Sequence, residues 1–223
     1  MNKLLTATAF LGAFLASTTS SAALIGGIDL DGNGAIDGVD TVIVDGGVGD
    51  LNPAASRILY MAPGFNFEIG NYIGDPVSLS LNASYAGTGS ATYALTETDI
   101  TLENPWSPSF SGTFDSTTYD MTATAYIDYG NTAFGTSTVI ETLTVGPSYL
   151  SFSKDFGDFS VDPVLAAAGY SITLFVTMNH HGVDGATSIG SAISAVPEPS
   201  VLALMGLGLV GMGFAARRKQ KAA

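Results

Sequence analysis

The residues with the most chemistry to offer lie near the start of the chain, at 29–40: Asp29, Asp31, Asn33, Gly34, Ala35, Ile36, Asp37 and Asp40. Numbered along a twelve-residue calcium loop, side-chain oxygens fall at positions 1, 3, 5, 9 and 12, and the Ala35 carbonyl at position 7. Gly34 holds position 6, where such a loop turns sharply, and Ile36 is the apolar residue at position 8. A hard cation takes about six to eight oxygens, and this spacing offers them from one local segment. An ion held only by local ligands, with no reactive group beside it, is structural rather than catalytic. The same residues also suit an Asp/Asn/Gly-rich turn between two short strands.

Other chemistry is sparse. The chain has no cysteine, which excludes disulfides and thiol catalysis. Its two histidines are neighbours, His180 and His181, followed by Gly182 and Asp184. Adjacent residues on a strand point to opposite faces, so the pair chelates poorly and is expected in an exposed loop. No Gly-x-Ser-x-Gly elbow or His-Glu-x-x-His pattern occurs. Glu97, Asp99, Glu103, Asp155 and Asp158 could supply the two carboxylates of a glycosidase. In a chain with 20 acids, however, some carboxylates are always near one another, and solvated surface is their expected place. Trp106, the sole tryptophan, lies between Pro105 and Pro108 on an expected loop. It could stack on a sugar ring or plug the end of a sandwich. Asn82, Ala83 and Ser84 match a glycosylation sequon.

The elements that must position these residues alternate with period two. Residues 77–85 place Val77, Leu79, Leu81, Ala83 and Tyr85 on one face and Ser or Asn on the other. Residues 119–129, 149–153 and 170–178 follow suit, and weaker strand signals run through 91–95, 100–102, 110–114, 137–145 and 156–161. Residues 186–195, all small but for two isoleucines, read as a last strand entering a linker. Gly, Asn and Pro punctuate the pattern roughly every ten residues, which predicts eight or nine short strands. Two short helices or turns are expected, one opened by Asn52 and Pro53, the other by Asp162 and Pro163 with Gly169 as a left-handed cap.

The two ends read differently. Lys3, an apolar stretch at 4–16 and Ser20, Ser21 and Ala22 make a signal peptide, with cleavage expected before Ala23. At the other end Val196, Pro197, Glu198 and Pro199 precede an uncharged apolar run of about 17 residues from Ser200. That length is at the short end of a bilayer-spanning helix. Arg217, Arg218, Lys219 and Lys221 follow and should stay cytoplasmic as a membrane stop. Five of the seven basic residues lie in these end segments. Arg57 and Lys154 then face 20 acids, a net charge of −18 once both ends are removed. Such a surface excludes nucleic-acid binding and attracts cations.

The order of the tail, Pro-Glu-Pro, then a short Gly-rich apolar helix, then an Arg-rich end, resembles the PEP-CTERM sorting signal of Gram-negative bacteria. The resemblance covers about the last 28 residues and implies processing by an exosortase-type membrane protease and delivery to the cell surface or extracellular matrix. The loop at 29–40, with Asp at its last position, resembles a single dockerin type I repeat. No second repeat is found, and residues 41–44 are β-branched where such a repeat continues as a helix.

The chain is therefore expected to be all-β, an antiparallel β-sandwich or jelly roll, with a cleaved N-terminal signal helix and a C-terminal transmembrane helix. The expected divisions are a signal peptide at 1–22, a calcium-loop segment at 23–50, the sandwich at 51–190, a Pro-Glu-Pro linker at 191–199 and a membrane helix with basic tail at 200–223. The expected role is structural or adhesive, without catalysis, at the surface or in the exopolysaccharide matrix. Carbohydrate binding through Trp106 and a jelly-roll glycosidase are the alternatives.

Overall fold

A computed structural model describes residues 23–30, 33–72, 78–102, 105–147 and 149–196. The expected signal peptide, Asp31, Glu103, most of the sorting motif (Pro197, Glu198 and Pro199) and the membrane stop at Arg217, Arg218, Lys219 and Lys221 lie outside them. Among the described residues no helix is long and apolar enough to cross a membrane.

Among the described residues, twelve strands and one helical turn form the fold: β1 Leu24–Asp29, β2 Thr41–Val44, β3 Arg57–Ala62, β4 Phe65–Tyr72, β5 Ser78–Gly87, β6 Ser90–Ile100, β7 Trp106–Phe114, β8 Asp120–Asp128, β9 Thr138–Val145, β10 Ser151–Asp155, α1 Pro163–Ala166, β11 Tyr170–Asn179 and β12 Gly185–Ala195. They make two six-stranded antiparallel sheets, β2-β1-β6-β11-β8-β9 (sheet one) and β10-β7-β12-β5-β4-β3 (sheet two). The sheets pack as a sandwich, as the alternation predicts.

The core follows from that alternation. Tyr93, Leu95, Ile172, Leu174, Val176, Met121 and Ile127 face inward from sheet one, and Phe67, Ile69, Leu79, Leu81, Phe110, Ile189 and Ile193 from sheet two. Each such side chain contributes about 1.5–3 kcal/mol when fully buried. Hydrogen bonds also cross between the sheets. The Tyr93 hydroxyl of β6 donates to the Ser84 carbonyl of β5 at 2.6 Å. The Trp106 indole of β7 donates to the Tyr170 hydroxyl of β11 at 2.8 Å.

Several expectations are corrected. Residues 24–44 are not a segment apart: β1 pairs with β2 on one side and β6 on the other. The stretch opened by Asn52 takes the turn, not the helix, of the two forms expected. Asn52 Oδ1 accepts the Ala54 N–H in a tight turn at 3.0 Å, Ser56 takes a φ of 63°, and Ile58 then enters the core as part of β3. The linker does not begin at 191, because β12 stays paired with β7 through Ala195. Its small residues suit a central strand clasped on both sides. The helical turn at Pro163 forms as read, with Asp162 accepting from Val164 and Leu165 and Gly169 at φ 89°.

Candidate functional site

The outer face of sheet two carries a groove of about 640 Å³. Its shape follows from side-chain size. The central strands put small residues outward, Ser188 and Gly190 on β12, Ser84 on β5 and Ser111 on β7, so the floor is low. Leu59 and Glu68 rise on the β3–β4 side, and Ser151 borders the β10 side. Phe152 lends the groove no ring: it pairs with Gly112 and turns inward, 5.7 Å from the Phe114 ring, where a Cβ on Gly112 would come within 2.7 Å of it. Asn66 and Asn82 add two side-chain amides to the serine hydroxyls and exposed backbone. Glu68 is the one carboxylate among the lining residues, and none of them is basic. A smaller hollow of about 250 Å³ shares Asn66 and Ser84 and continues toward Met61, Phe65 and Ala86. The volume lies within the range of about 300–1,000 Å³ common for ligand sites, and the lining suits a neutral, hydroxyl-rich ligand.

Trp106 is not part of this groove. It is fully buried, with its indole bound to Tyr170, whose hydroxyl donates on to the Leu102 carbonyl at 2.8 Å. Burial raises the Tyr170 pKa above its usual value. Trp106 plugs one end of the sandwich and has no face left for a sugar, so the stacking role is overturned. The reason is strand pairing: Trp106 opens β7 opposite Ala195 rather than sitting in a loop.

His180 also departs from expectation. It is buried, stacked on Tyr119 at 3.9 Å between ring centroids, and bonded to the Gly87 carbonyl at 2.6 Å and Thr187 Oγ1 at 2.8 Å. Because the carbonyl can only accept, Nδ1 carries a proton there. His181 points the other way, into solvent, 2.6 Å from Asp120. The opposite-faces argument holds, but one of those faces is interior.

Among the acids, Asp99, Asp155 and Asp158 are exposed as expected. Glu97 is not: it faces inward on β6, opposite Leu24 and Ile172, and is 3% exposed. Burial pushes its carboxyl from 4.5 up to about 7. Period-two alternation carries the signal, since Glu97 shares a face with Tyr93 and Leu95.

The loop at 29–40 joins β1 to β2, so strands flank it and not helices. Asp29 accepts the Gly34 N–H at 2.7 Å, Asn33 the Ala35 N–H at 2.8 Å, and Asp37 the Val39 N–H at 3.1 Å. The two oxygens of Asp40 take Leu30 and Asp37 N–H groups. Ile36 packs over Gly27 of β1, its side chain 3.1 Å from where a Cβ there would stand. Among the described residues no three Asp, Glu or His side chains gather as a ready metal site.

No curated protein matches the sequence. Among solved structures, similarity is found to TmCBM61 in complex with β-1,4-galactotriose (10% identity, 59% of this chain and 88% of that one, TM-score 0.34). It is also found to the C-terminal family 22 carbohydrate-binding module of Clostridium thermocellum Xyn10B (17% identity, 61% and 88%, TM-score 0.29). A third is the family 11 carbohydrate-binding module from Clostridium thermocellum with a mixed-linked tetrasaccharide (13% identity, 66% and 92%, TM-score 0.30). TM-scores this low establish no shared fold, and nothing is carried over from these proteins. The tail is decided differently: residues 195–219 match the PEP-CTERM protein-sorting motif, beginning at the last residue of β12, and the chain carries the signal of an exported protein.

Proposed function

We propose that this exported protein has a non-catalytic, structural and adhesive role at the cell surface or in the extracellular matrix, and that it adheres by holding a neutral polysaccharide in the groove on sheet two. The groove carries this reading. Its floor of hydroxyl, amide and backbone groups matches the donors and acceptors of a sugar chain, and it is open enough for an extended polymer. The absence of a basic lining residue and the net charge of −18 argue against an anionic glycan. A glycosidase of the usual kind needs two carboxylates about 5–10 Å apart, and Glu68 has no such companion among the lining residues.

Retention on immobilised neutral polysaccharides, compared between wild type and Asn82→Ala or Glu68→Ala, tests the reading. Weaker retention of both variants supports it; equal retention of both overturns it.

For the loop at 29–40 we propose a structural calcium ion. Every donor there is oxygen, the chemistry a hard cation prefers. Asp29, Asp31, Asn33, Asp37 and Asp40 with the Ala35 carbonyl would hold it, fixing the β1–β2 connection.

A further inference from the structure

We propose that, while its tail is in place, the sandwich rests with its Trp106–α1 end against the bilayer, with Val164 and Leu165 of α1 meeting neutral lipid. The inference rests on the sorting signal being a membrane anchor and adds which surface faces the lipid.

The chain leaves the fold with almost no slack. Ala195 is still paired with Trp106, and the Val196 N–H donates to the Pro105 carbonyl at 2.7 Å. The apolar run begins within five residues of Val196, which extended chain can stretch to about 18 Å at most. Whatever holds that run holds this end of the sandwich beside it.

The same end gathers α1. Trp106 and Phe159 exchange backbone hydrogen bonds at 2.9 and 2.8 Å, and Asp162, which caps α1, donates its N–H to the Tyr129 hydroxyl at 3.0 Å. α1 then presents Val164 and Leu165, 80% and 47% exposed. Two apolar side chains on one turn gain nothing in water but are stabilised about 5–10 Å into an interface. Ala23 joins them, since the Thr98 N–H donates to its carbonyl. Asp158 and Asp162 flank α1, so the surface fits neutral headgroups and repels anionic ones. The groove lies on the other half of sheet two, toward Gly87 and Gly185 where Ser84 and Ser188 sit, and stays clear of the membrane.

The test uses the unprocessed chain in phosphatidylcholine vesicles. With no native cysteine, Val164→Cys and, as a second reporter, Ala167→Cys each take one fluorophore, and Thr88→Cys marks the opposite end. A nitroxide near the lipid headgroup should quench both α1 labels about threefold more than the Thr88 label, as shallow insertion requires. Equal quenching in vesicle-bound chain overturns the proposal while leaving the anchor intact. Failure to float with vesicles overturns the anchor and the proposal together. Quenching seen only when the processing protease is co-reconstituted assigns this end to a protein contact and overturns the lipid assignment.

Discussion

Glu97 should contribute stability in acid that is lost as the pH rises to neutral. Its carboxyl faces the core of sheet one opposite Leu24 and Ile172, and burial pushes it from 4.5 up to about 7. Below about pH 4.5 the group is neutral both folded and unfolded, and its contribution is constant. Between 4.5 and 7 the unfolded chain ionises first, so each pH unit costs the fold about 1.4 kcal/mol. Above 7 both states are ionised and the loss levels off, at about 3 kcal/mol in total. Glu97→Gln removes this dependence and leaves the other 19 acids in both proteins, so their general repulsion cancels in the difference. Any change in packing or hydrogen bonding from the amide adds a constant that pH does not alter. Relative to wild type, the variant should therefore gain about 3 kcal/mol between pH 4 and pH 8. For a domain of this size that is about 6–12 °C in Tm. Calorimetric melts of both proteins at half-unit pH intervals read it directly. A Tm difference that stays level from pH 4 to 8, or that moves in favour of wild type as pH rises, would refute the reasoning.

Other outcomes follow from the same contacts. Trp106→Ala should cost about 3–5 kcal/mol in chemical denaturation by emptying the end of the core, with glycan retention of the folded fraction unchanged; reduced retention per folded molecule would restore Trp106 as a binding residue. Asn82→Ala and Glu68→Ala should each weaken polysaccharide retention about tenfold, one lost hydrogen bond to a polar ligand, without moving the melting temperature. If the loop at 29–40 binds calcium with a Kd of about 10⁻⁴–10⁻³ M, 10 mM calcium should add about 1–3 kcal/mol of stability over EDTA, and Asp40→Ala should abolish the gain; equal melting temperatures would exclude the ion. The intact mass of mature protein from the native host should end near Pro199, and a mass that retains residues 201–223 would instead describe a permanent anchor.

What was legible in the sequence was local. Leu79, Leu81 and Ala83 alternating with Ser80 and Asn82 specify a strand with one buried face, because the pleat sends successive side chains to opposite sides. The tail was legible for the same reason, as its three parts are contiguous. Even Asp162 and Gly169 announced their helical turn. By itself the sequence thus determined a cysteine-free, acidic, all-β exported chain and the address in its tail. Only tertiary structure decided what the polar and aromatic residues became. Trp106 turned from a candidate for sugar stacking into a plug because β12, some 80 residues away, pairs alongside it. His180 and Glu97 became interior because the opposite sheet covers the face they occupy, and the groove exists because small residues from three distant strands lie side by side. Alternation says that a side chain points to one face; which face is covered depends on long-range pairing, which no local window of sequence contains.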